Sequence, residues 1–538
     1  MLALASSFGF GASCRRSTSA PAVAPPARAA RAVRLYFVSD LDGYLEPCGC
    51  QARPLGGIDR LAALVERESP QRAQTLFVAT GNTFFEHPTL EPDMVFQERA
   101  KAERLGPILD RLQLAAYAPG PADFALGTQA WEALARGTQA RPLMANVAGR
   151  DGTVVREAGG LRVAFVGVSD FTDGDQHRAA GAPATSDPVE AARRAVAEVR
   201  ASADVVVVLS SLPRRIARNV AEVPGVDFVL AARESSGTTP PPEQIGSAWL
   251  LTSVDQGKGL GVLDLRVDGD GVFRDASERS ATAERSRLDG RIQELQARIA
   301  GWEHDPHADA VAVAAQRARL ADMQSRRSAL ARPQPPSRGR TFEARWLAVD
   351  PDVPRAPTVQ AEIASYFRAV NDHNRAAYAD LHAPPAPPGT AHYVGIEACR
   401  ECHEEAFEVW SHTPHARAYR TLADASKNFN LACVGCHVTG YRRPGGSEVV
   451  QNDGLRDVQC ETCHGPGSAH ADARSRAARR ATIVRNPPRD LCATECHTHE
   501  HSDQFDYTTY LPRVLGPGHG RPVGDGDAGV ARDAVAAP

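Results

Sequence analysis

The sequence predicts a multidomain protein with an α/β domain at residues 33–275, a helical hairpin at residues 284–332 and a cysteine-rich region at residues 392–510. Its 538 residues exceed what one hydrophobic core usually supports. Patterns of buried strands alternate with helical patterns in the first half of the chain. Eight of the eleven cysteines lie between Cys399 and Cys496, which sets the last region apart.

Short apolar runs rich in Val, Leu and Phe indicate the buried strands of the α/β domain. These runs are Val33 to Val38, Leu76 to Ala79, Leu143 to Val147, Val163 to Val168, Val205 to Leu209, Phe228 to Leu230, Leu250 to Val254 and Leu260 to Val267. One intervening helix is expected to begin with Asp187 as its N-cap, Pro188 at the first helical position and Glu190 in the first turn. Such alternation is typical of an α/β domain.

Two consecutive segments carry apolar residues at helical spacing and predict an antiparallel hairpin that serves as a packing element or spacer. The stripes are formed by Leu288, Ile292, Leu295, Ile299 and Trp302, and by Val313, Leu320, Met323 and Leu330. Proline-rich stretches then bracket residues 333–391, which we expect to be a linker with one helix at Val359 to Asp372. Residues 511–538, rich in Gly and Ala, are expected to form a flexible tail.

Charge and hydropathy exclude some classes of partner. A formal net charge of -4 argues against a nucleic-acid or anionic-membrane footprint.

Residues 1–32 are read as a lipoprotein-like signal and a disordered linker, because a short apolar run precedes Cys14. The basic start of such a signal is missing, so the alternatives are a lipid anchor at Cys14 and an accidental resemblance. No run of about 18 apolar residues occurs, which argues against a spanning helix.

The cysteine-rich region carries four motifs in which a histidine follows the second cysteine of a pair. Chance predicts roughly 0.007 Cys-x-x-Cys-His matches at this composition, against three plus one longer variant. Covalent c-type haem needs two thiols for the thioethers and an adjacent imidazole for the iron. Four covalent haems are therefore predicted. The thioether cysteines are Cys399, Cys402, Cys433, Cys436, Cys460, Cys463, Cys492 and Cys496, and the proximal ligands are His403, His437, His464 and His497.

Zinc and disulfides are the competing explanations of the paired cysteines. A zinc ribbon needs no histidine directly after each second cysteine. Pairs in series are redox or ligand motifs more often than disulfide staples. The repeated histidine therefore favours haem.

The ligand on the opposite face of each iron can be inferred by elimination. Methionine is disfavoured, since all four methionines lie upstream of the motifs. Histidine is the expected distal ligand, which implies low reduction potentials. His415 and His470 are favoured, followed by His412, and then by His499 and His501. An open face on at least one haem is the alternative.

The motifs and their surroundings resemble a known family. The stretches are Tyr393-Val-Gly-Ile-Glu-Ala-Cys399, Trp410-Ser-His-Thr-Pro-His415, Cys436-His-Val-Thr-Gly440 and Cys460-Glu-Thr-Cys-His-Gly-Pro-Gly-Ser-Ala-His470. They are similar to the tetrahaem cytochromes that accept electrons from hydroxylamine oxidation. The resemblance implies mostly helical wrapping around closely stacked haems, with His415 and His470 at distal positions. It does not identify the electron donor.

The α/β domain resembles metallophosphoesterases of the 5'-nucleotidase type, whose fold is a β-sandwich flanked by helices. The matching stretches are Asp40-Leu-Asp42-Gly43, Gly81-Asn82, Gly120-Pro-Ala-Asp123 and Asn146. Such enzymes hold two metals with Asp, Asn and several His. Here the histidines are replaced, so we expect a degenerate, inactive domain, in which Asp40, Asp42, Asn82 and Asp123 are the candidates for a residual metal site. The missing histidines argue against a bound divalent metal.

The sequence thus favours an electron-transfer protein that works with redox partner proteins. Because c-type haem is attached outside the cytoplasm, a periplasmic or outer-surface location is expected, with a lipid anchor as an option. The alternatives are a haem oxidoreductase acting on a small nitrogen or sulfur compound and a working phosphoesterase. Cys48 and Cys50 fit a strained disulfide, free thiols, or a metal or redox role.

Overall fold

The computed structural model describes residues 31–47, 54–69, 71–172, 179, 181–232, 240–303, 310–329, 339–498, 502, 505–516 and 519. The chain is divided into two regions. The N-terminal region comprises residues 31–377, and the C-terminal region comprises residues 392–516. Cys48 and Cys50 lie outside the described residues, as do His499 and His501.

The N-terminal region contains two mixed β-sheets. Their strands are β1 (Arg31–Ser39), β2 (Thr75–Gly81), β3 (Leu114–Pro119), β4 (Arg141–Pro142), β5 (Thr153–Ala158), β6 (Leu161–Ser169), β7 (Val205–Ser211), β8 (Phe228–Ala231), β9 (Glu243–Ile245), β10 (Ala248–Thr252), β11 (Gly259–Asp268), β12 (Arg274–Asp275) and β13 (Gly339–Ala348). The first sheet has the order β12-β13-β11-β1-β2-β3-β4 and the second has the order β5-β6-β7-β8-β10-β9.

The central strand β1 shows why the sheets stack. Val33, Leu35 and Phe37 join the apolar core between the two sheets, whereas Tyr36 and Val38 join the core beneath the helices. Alternate residues of a strand point to opposite faces, so β1 is apolar on both sides. Helices cover the outer faces, and the expected α/β sandwich flanked by helices is confirmed.

The helices of the N-terminal region are α1 (Ile58–Glu68), α2 (Val95–Arg111), α3 (Gly127–Arg136), α4 (Pro188–Arg200), α5 (Arg214–Ala221), α6 (Glu278–Glu303), α7 (Ala310–Ala329) and α8 (Pro357–Ala377). The expected start of α4 is confirmed, since the Asp187 side chain accepts hydrogen bonds from the backbone N–H groups of Val189 and Glu190 at 2.9 Å each. This N-cap satisfies two donors that the first helical turn leaves without partners.

Helices α6 and α7 form the expected hairpin. Leu288, Ile292 and Leu295 are buried along α6. Asp289 in the middle of α6 pairs with Arg327 near the end of α7 at 2.5 Å. Both residues lie about four helical turns from the connection between the helices, as expected of an antiparallel pair.

Two expectations about elements were wrong. Residues 333–391 are not simply a linker, because β13 pairs with β11 along its whole length and α8 buries Val359, Ile363 and Val370 in the core of the N-terminal region. The expected strand at Leu143–Val147 pairs with no single strand. Instead, the N–H of Leu143 donates to β3 and that of Ala145 donates to β6, each at 2.8 Å, so this segment bridges the two sheets.

The C-terminal region consists of short helices joined by loops, in agreement with the expected mostly helical fold. They are α9 (Ile396–Arg400), α10 (Glu404–Ser411), α11 (Ala418–Asp424), α12 (Leu431–Val434), α13 (Cys460–His464), α14 (Ser468–Asp472), α15 (Arg476–Ala481), α16 (Arg489–Glu495) and α17 (Tyr507–Tyr510). Among the residues described, no helix combines the length and apolar character needed to cross a bilayer.

Candidate haem-binding site

Each cysteine motif is built on a short helical turn. In the first, α9 carries Cys399 and the backbone N–H of His403 donates to the carbonyl of Cys399 at 3.0 Å. In the third, α13 spans the whole motif from Cys460 to His464. A helical turn brings residues three and four positions apart onto one face, so both thiols and the imidazole of a motif can reach one ligand.

A buried carboxylate joins the first and third motifs. Glu461, only 3% exposed, accepts hydrogen bonds from the N–H groups of Val394 at 3.0 Å, Gly395 at 2.8 Å and Gly467 at 2.7 Å. Gly395 lies just before α9 and has a φ of 80°, a conformation that favours glycine. The residue between the two cysteines of the third motif thus fixes the chain that leads into the first.

Thiols from different motifs meet. Cys460 lies close enough to Cys399 to raise the pKa of the Cys399 thiol, and Cys436 raises the pKa of the Cys496 thiol in the same way. Burial, followed by the nearby charge of Cys492, raises the pKa of the Cys463 thiol to about 11. The motifs are therefore neighbours in the order first, third, fourth and second, which differs from their order along the chain.

Two pairs of imidazoles face one another across gaps that fit a metal. The ring centres of His403 and His470 are 6.0 Å apart with 23° between the ring planes, and those of His415 and His497 are 6.4 Å apart. Two metal–imidazole bonds of about 2 Å each, together with the distance from each nitrogen to its ring centre, add up to a spacing of this size. The histidines present therefore fit an iron held on both faces.

The ring nitrogens are oriented for ligation. Nδ1 of His437 lies 2.5 Å from the carbonyl oxygen of Ala418, and Nδ1 of His464 lies 2.7 Å from that of Val484. A carbonyl oxygen only accepts, so Nδ1 must carry the proton in each ring. Nε2 is then left free for a metal, an arrangement typical of ligating histidines.

Burial keeps the candidate imidazoles neutral, as ligation requires. It lowers the pKa of His415, with the charge of His497 as a smaller cause, and it lowers the pKa of His437. The pKa of His403 is lowered by burial and then by the charge of His470.

The remaining distal candidates are placed differently. The His412 side chain is 75% exposed, and its Nδ1 contacts the carbonyl oxygen of Glu408 at 2.8 Å. His519 falls in the expected tail. Burial lowers its pKa, and the charges of the nearby His464 and His403 lower it further. No spacing in the sequence singles out His519, and only its position in the fold does.

The four residues of the expected residual metal site come together at the ends of β1, β2 and β3. Parallel strands bring their carboxyl ends to one edge of a sheet. Asp40 accepts a hydrogen bond from the backbone N–H of Asn82 at 3.1 Å. Gly81 has a φ of 85°, and a Cβ there would meet Oδ1 of Asp40 at 2.1 Å, so glycine allows this close approach.

The side-chain oxygens of this cluster already accept backbone hydrogen bonds. Asp123, 1% exposed, accepts from the N–H groups of Thr83, Phe84 and Gly120 at 2.7–3.1 Å. Oδ1 of Asn82 accepts from Ala122 at 3.0 Å. Within the described part of the chain, no group of three or more His, Cys, Asp or Glu side chains is arranged to hold a metal ion.

The carboxylates of the cluster raise one another's pKa. Burial is the largest cause of the raised pKa of Asp42, followed by the charges of Asp40 and Glu86. Burial raises the pKa of Asp123 to about 7, although its backbone hydrogen bonds oppose the shift. These interactions disfavour ionisation of the cluster.

The C-terminal region packs against the N-terminal region beside this cluster. Nζ of Lys427 lies 2.6 Å from Oε2 of Glu46, in the loop that follows Asp42, and lies 4.0 Å from the ring centre of Phe367 on α8. Arg442 pairs with Asp93 at 2.5 Å.

A buried amide network completes the contact between the two regions. Oε1 of Gln97 accepts from the N–H of Leu431 at 3.2 Å and from the amide of Asn374 at 3.5 Å. The Asn374 amide also donates to the carbonyl of Phe429 at 2.8 Å. Asn430 caps the helix that carries Cys433 and accepts from the Gln97 amide at 3.4 Å. The N-terminal region thus holds the start of the second motif.

Comparison with known proteins shows that the first three cysteine motifs are similar to those of a cytochrome family. Residues 398–465 match the model of the cytochrome c554 and c-prime family. Cytochrome c-554 of Nitrosomonas europaea is 33% identical over 93 residues, which cover 14% of this chain and 40% of that cytochrome. The expected c-type cytochrome character of this part of the chain is confirmed, and covalent haem c is implied for it.

Solved structures give a second set of similarities. A 5'-nucleotidase precursor from Thermus thermophilus is 19% identical with a TM-score of 0.43, covering 68% of this chain and 63% of its own. The calcineurin-like phosphoesterase YfkN from Bacillus subtilis is 18% identical with a TM-score of 0.38, covering 45% of this chain and 86% of its own. The chain thus spans less than two thirds of both the curated cytochrome and the nucleotidase.

Proposed function

We propose that this protein transfers electrons through four covalently bound c-type haems. The observation that carries the proposal is the two pairs of facing imidazoles, His403 with His470 and His415 with His497, each separated by the distance that an iron needs. Histidine on both faces leaves an iron no open position for substrate, which suits a carrier better than a catalyst.

The haems supply the one-electron couple, and the residues of this chain hold and orient them. The thiols of each motif anchor the porphyrin, and the histidine after the second thiol ligates its iron. The carbonyls of Ala418 and Val484 fix the rings of His437 and His464. The adjacency of the four motifs supports a continuous relay, since each motif has a thiol close to that of another.

The N-terminal region serves as a rigid support for this relay and not as a phosphoesterase. Two observations favour this role. Its strand-end carboxylates and amide are engaged by backbone N–H groups, and its α2 holds the start of the second motif through Gln97. The four residues Asp40, Asp42, Asn82 and Asp123 are assigned no metal in this proposal.

The proposal places the protein in the periplasm or on the outer cell surface, because c-type haem is attached outside the cytoplasm. A lipid on Cys14 would then keep it at a membrane. Its partners are redox proteins, and nucleic acid is not among them, given the net charge of -4.

The test is a haem count combined with spectroscopy on protein produced with c-type maturation. Intact mass should exceed the polypeptide mass by four haems. Dithionite should reduce the protein, and carbon monoxide should leave the histidine-paired haems unchanged. A mass increase of fewer than four haems would refute the stoichiometry, and a fully carbon-monoxide-reactive spectrum would refute histidine on both faces.

A second candidate function is the conversion of a small nitrogen or sulfur compound at an open iron. Among the residues described, neither His437 nor His464 has an imidazole paired with it. His519 lies near His464, so His437 is the candidate for the open iron. A carbon-monoxide-binding, high-spin fraction of about one quarter, lost in a His437→Ala variant, would support this function. Uniformly low-spin haems would remove it.

A further inference from the structure

The C-terminal region segregates its charges. Between Asp472 and Asp490 the chain carries six arginines and no acidic residue, and all six side chains are exposed. We name this set the arginine surface, and it consists of Arg474, Arg476, Arg479, Arg480, Arg485 and Arg489. Around the first cysteine motif the balance is reversed, with exposed Glu397, Glu401, Glu404, Glu405 and Glu408 against one arginine, Arg400.

Most of the arginine surface has no ionic partner among the described residues. In the described part of the chain, Arg474, Arg476, Arg480 and Arg485 form no ion pair within 4 Å, whereas most other arginines of the C-terminal region, such as Arg442 and Arg456, are paired. Four unpaired guanidinium groups in one short segment repel one another, and their N–H groups donate hydrogen bonds to water. A surface of this kind is stabilised when carboxylates from outside reach it.

The same segment directly contacts two candidate haem ligands. The carbonyl of Arg479 receives the hydrogen bond from Nδ1 of His470 at 2.8 Å, and that of Val484 receives the hydrogen bond from Nδ1 of His464 at 2.7 Å. A molecule docked on this segment would therefore contact residues that are hydrogen-bonded directly to two candidate ligating imidazoles. The side chain of Val484, 46% exposed, adds an apolar contact amid the charges.

We infer that the arginine surface docks an acidic electron-transfer protein and that electrons cross at the haems ligated by His470 and His464. This inference rests on the electron-transfer function proposed above and adds the class of partner and the point of exchange. The glutamates around the first motif repel the same partner and so orient it.

The composition of the surface favours a protein over a membrane. Residues 473–489 contain no lysine and no aromatic residue, whereas membrane-binding surfaces combine basic residues, Lys among them, with Trp, Phe or Leu. Arginine is the basic residue enriched in protein interfaces, where its planar group binds carboxylates through two hydrogen bonds.

The test compares two triple variants of the matured protein that lose the same charge. Arg476→Gln, Arg480→Gln and Arg485→Gln alter the arginine surface, and Arg479 is kept because its Nε donates a hydrogen bond to the carbonyl of Ala473 at 2.9 Å. The control changes Arg193→Gln, Arg194→Gln and Arg215→Gln, which are exposed on α4 and α5. Unchanged haem spectra of both variants establish that their ligands are intact.

The first readout is binding, measured by calorimetry with poly-L-glutamate at low ionic strength. The wild type should bind, binding should weaken as salt rises, and the surface variant should bind about tenfold more weakly, as expected from losing three exposed charge pairs. The control should bind like the wild type. Equal weakening in both variants would overturn the inference, because it would reflect net charge alone.

The second readout is oxidation of the dithionite-reduced protein by hexacyanoferrate(III) or by hexaammineruthenium(III). One electron passes from a reduced haem to each oxidant ion and no proton moves. The surface variant should react several-fold more slowly with the anionic oxidant and no more slowly with the cationic one. Rates that do not differ between the variant and the control would overturn the assigned point of exchange.

Two further outcomes separate the alternatives. If the wild type reacts with neither oxidant, the electron-transfer function fails, while the poly-L-glutamate measurement still reports on the surface. If it binds vesicles of phosphatidylglycerol and phosphatidylcholine but not poly-L-glutamate, and the surface variant loses that binding, a membrane is the partner and the inference is overturned.

Discussion

The two regions of the molecule are stabilised in different ways. The N-terminal region has three extensive apolar cores, between its sheets and beneath the helices on either face. Among the described residues of the C-terminal region, the apolar cluster of buried residues consists of Tyr419, Val434 and Val438. Apolar burial is the main driving force of folding, so a region of more than 100 residues with such a small core needs another source of stability. Covalent haems would supply the missing apolar surface.

The comparison also separates the polar residues of the two regions. In the N-terminal region, carboxylates at the strand ends accept hydrogen bonds from backbone N–H groups of the same region. These carboxylates therefore have a structural role. In the C-terminal region, carbonyl groups orient imidazole rings whose second nitrogen stays free. The carboxylates of the N-terminal region are thus already engaged by the protein, whereas the imidazoles of the C-terminal region are oriented to bind a metal.

Removing the haems should have the largest effect, because it should unfold the C-terminal region and leave the N-terminal region folded. In protein made without c-type maturation, we expect residues 392–516 to lose their helices, while the N-terminal region stays folded on its own apolar cores. Limited proteolysis with mass spectrometry should show cleavage in the C-terminal region and a resistant fragment ending near α8. The matured protein is the control, and it should resist cleavage in both regions. Equal resistance of the unmatured C-terminal region would show that it folds without haem.

Gln97→Ala should weaken the contact between the regions. The change removes an acceptor from the part-buried N–H of Leu431 and from the buried amide of Asn374, which costs about 1–3 kcal/mol. Denaturant unfolding of the matured protein, followed by haem absorbance, measures the loss. Gln296→Ala, on the exposed face of α6, is the matched control and should unfold like the wild type. If both variants unfold alike, the amide network does not support the second motif.

Lys427→Ala should have a smaller effect. The ion pair with Glu46 is partly exposed, and the contact with the Phe367 ring adds a cation–π interaction, so we expect about 1 kcal/mol, reduced by salt. A double-mutant cycle with Glu46→Ala isolates the pair. A coupling energy of zero at low salt would mean that the pair does not join the regions.

Asp40→Ala should have the smallest effect on function. Because the strand-end cluster is proposed to hold no metal, the wild type and the variant should both fail to hydrolyse p-nitrophenyl phosphate with added manganese. Haem spectra of the two proteins should be identical. Hydrolysis by the wild type that disappears in the variant would show that the N-terminal region is a working phosphoesterase.

Much of the N-terminal fold could be predicted because its central strands are apolar on both faces, and the start of α4 could be predicted because Asp187 caps it. The role of residues 333–391 could not. Proline-rich flanks resemble a linker, and the pairing of β13 with β11 depends on residues about 80 positions apart along the chain. Local sequence carries no signal for such a distant partner.

The haem attachment motifs could be predicted because their chemistry is local, with both thiols and one imidazole within five or six residues. The second imidazole is contributed from far along the chain, at His470 for His403 and at His415 for His497. The sequence could therefore suggest His415 and His470 but could not pair them. The proximity of His519 to His464 follows only from the fold.

The most direct test of the central claim is the electron paramagnetic resonance spectrum of oxidised, matured protein before and after the change His470→Ala. The facing imidazoles predict that one low-spin signal is replaced by a high-spin signal and that carbon monoxide then binds one additional haem, while the other haems keep their spectra. A low-spin spectrum left unchanged by the substitution would contradict ligation by His470, and with it the account of paired histidines in this relay.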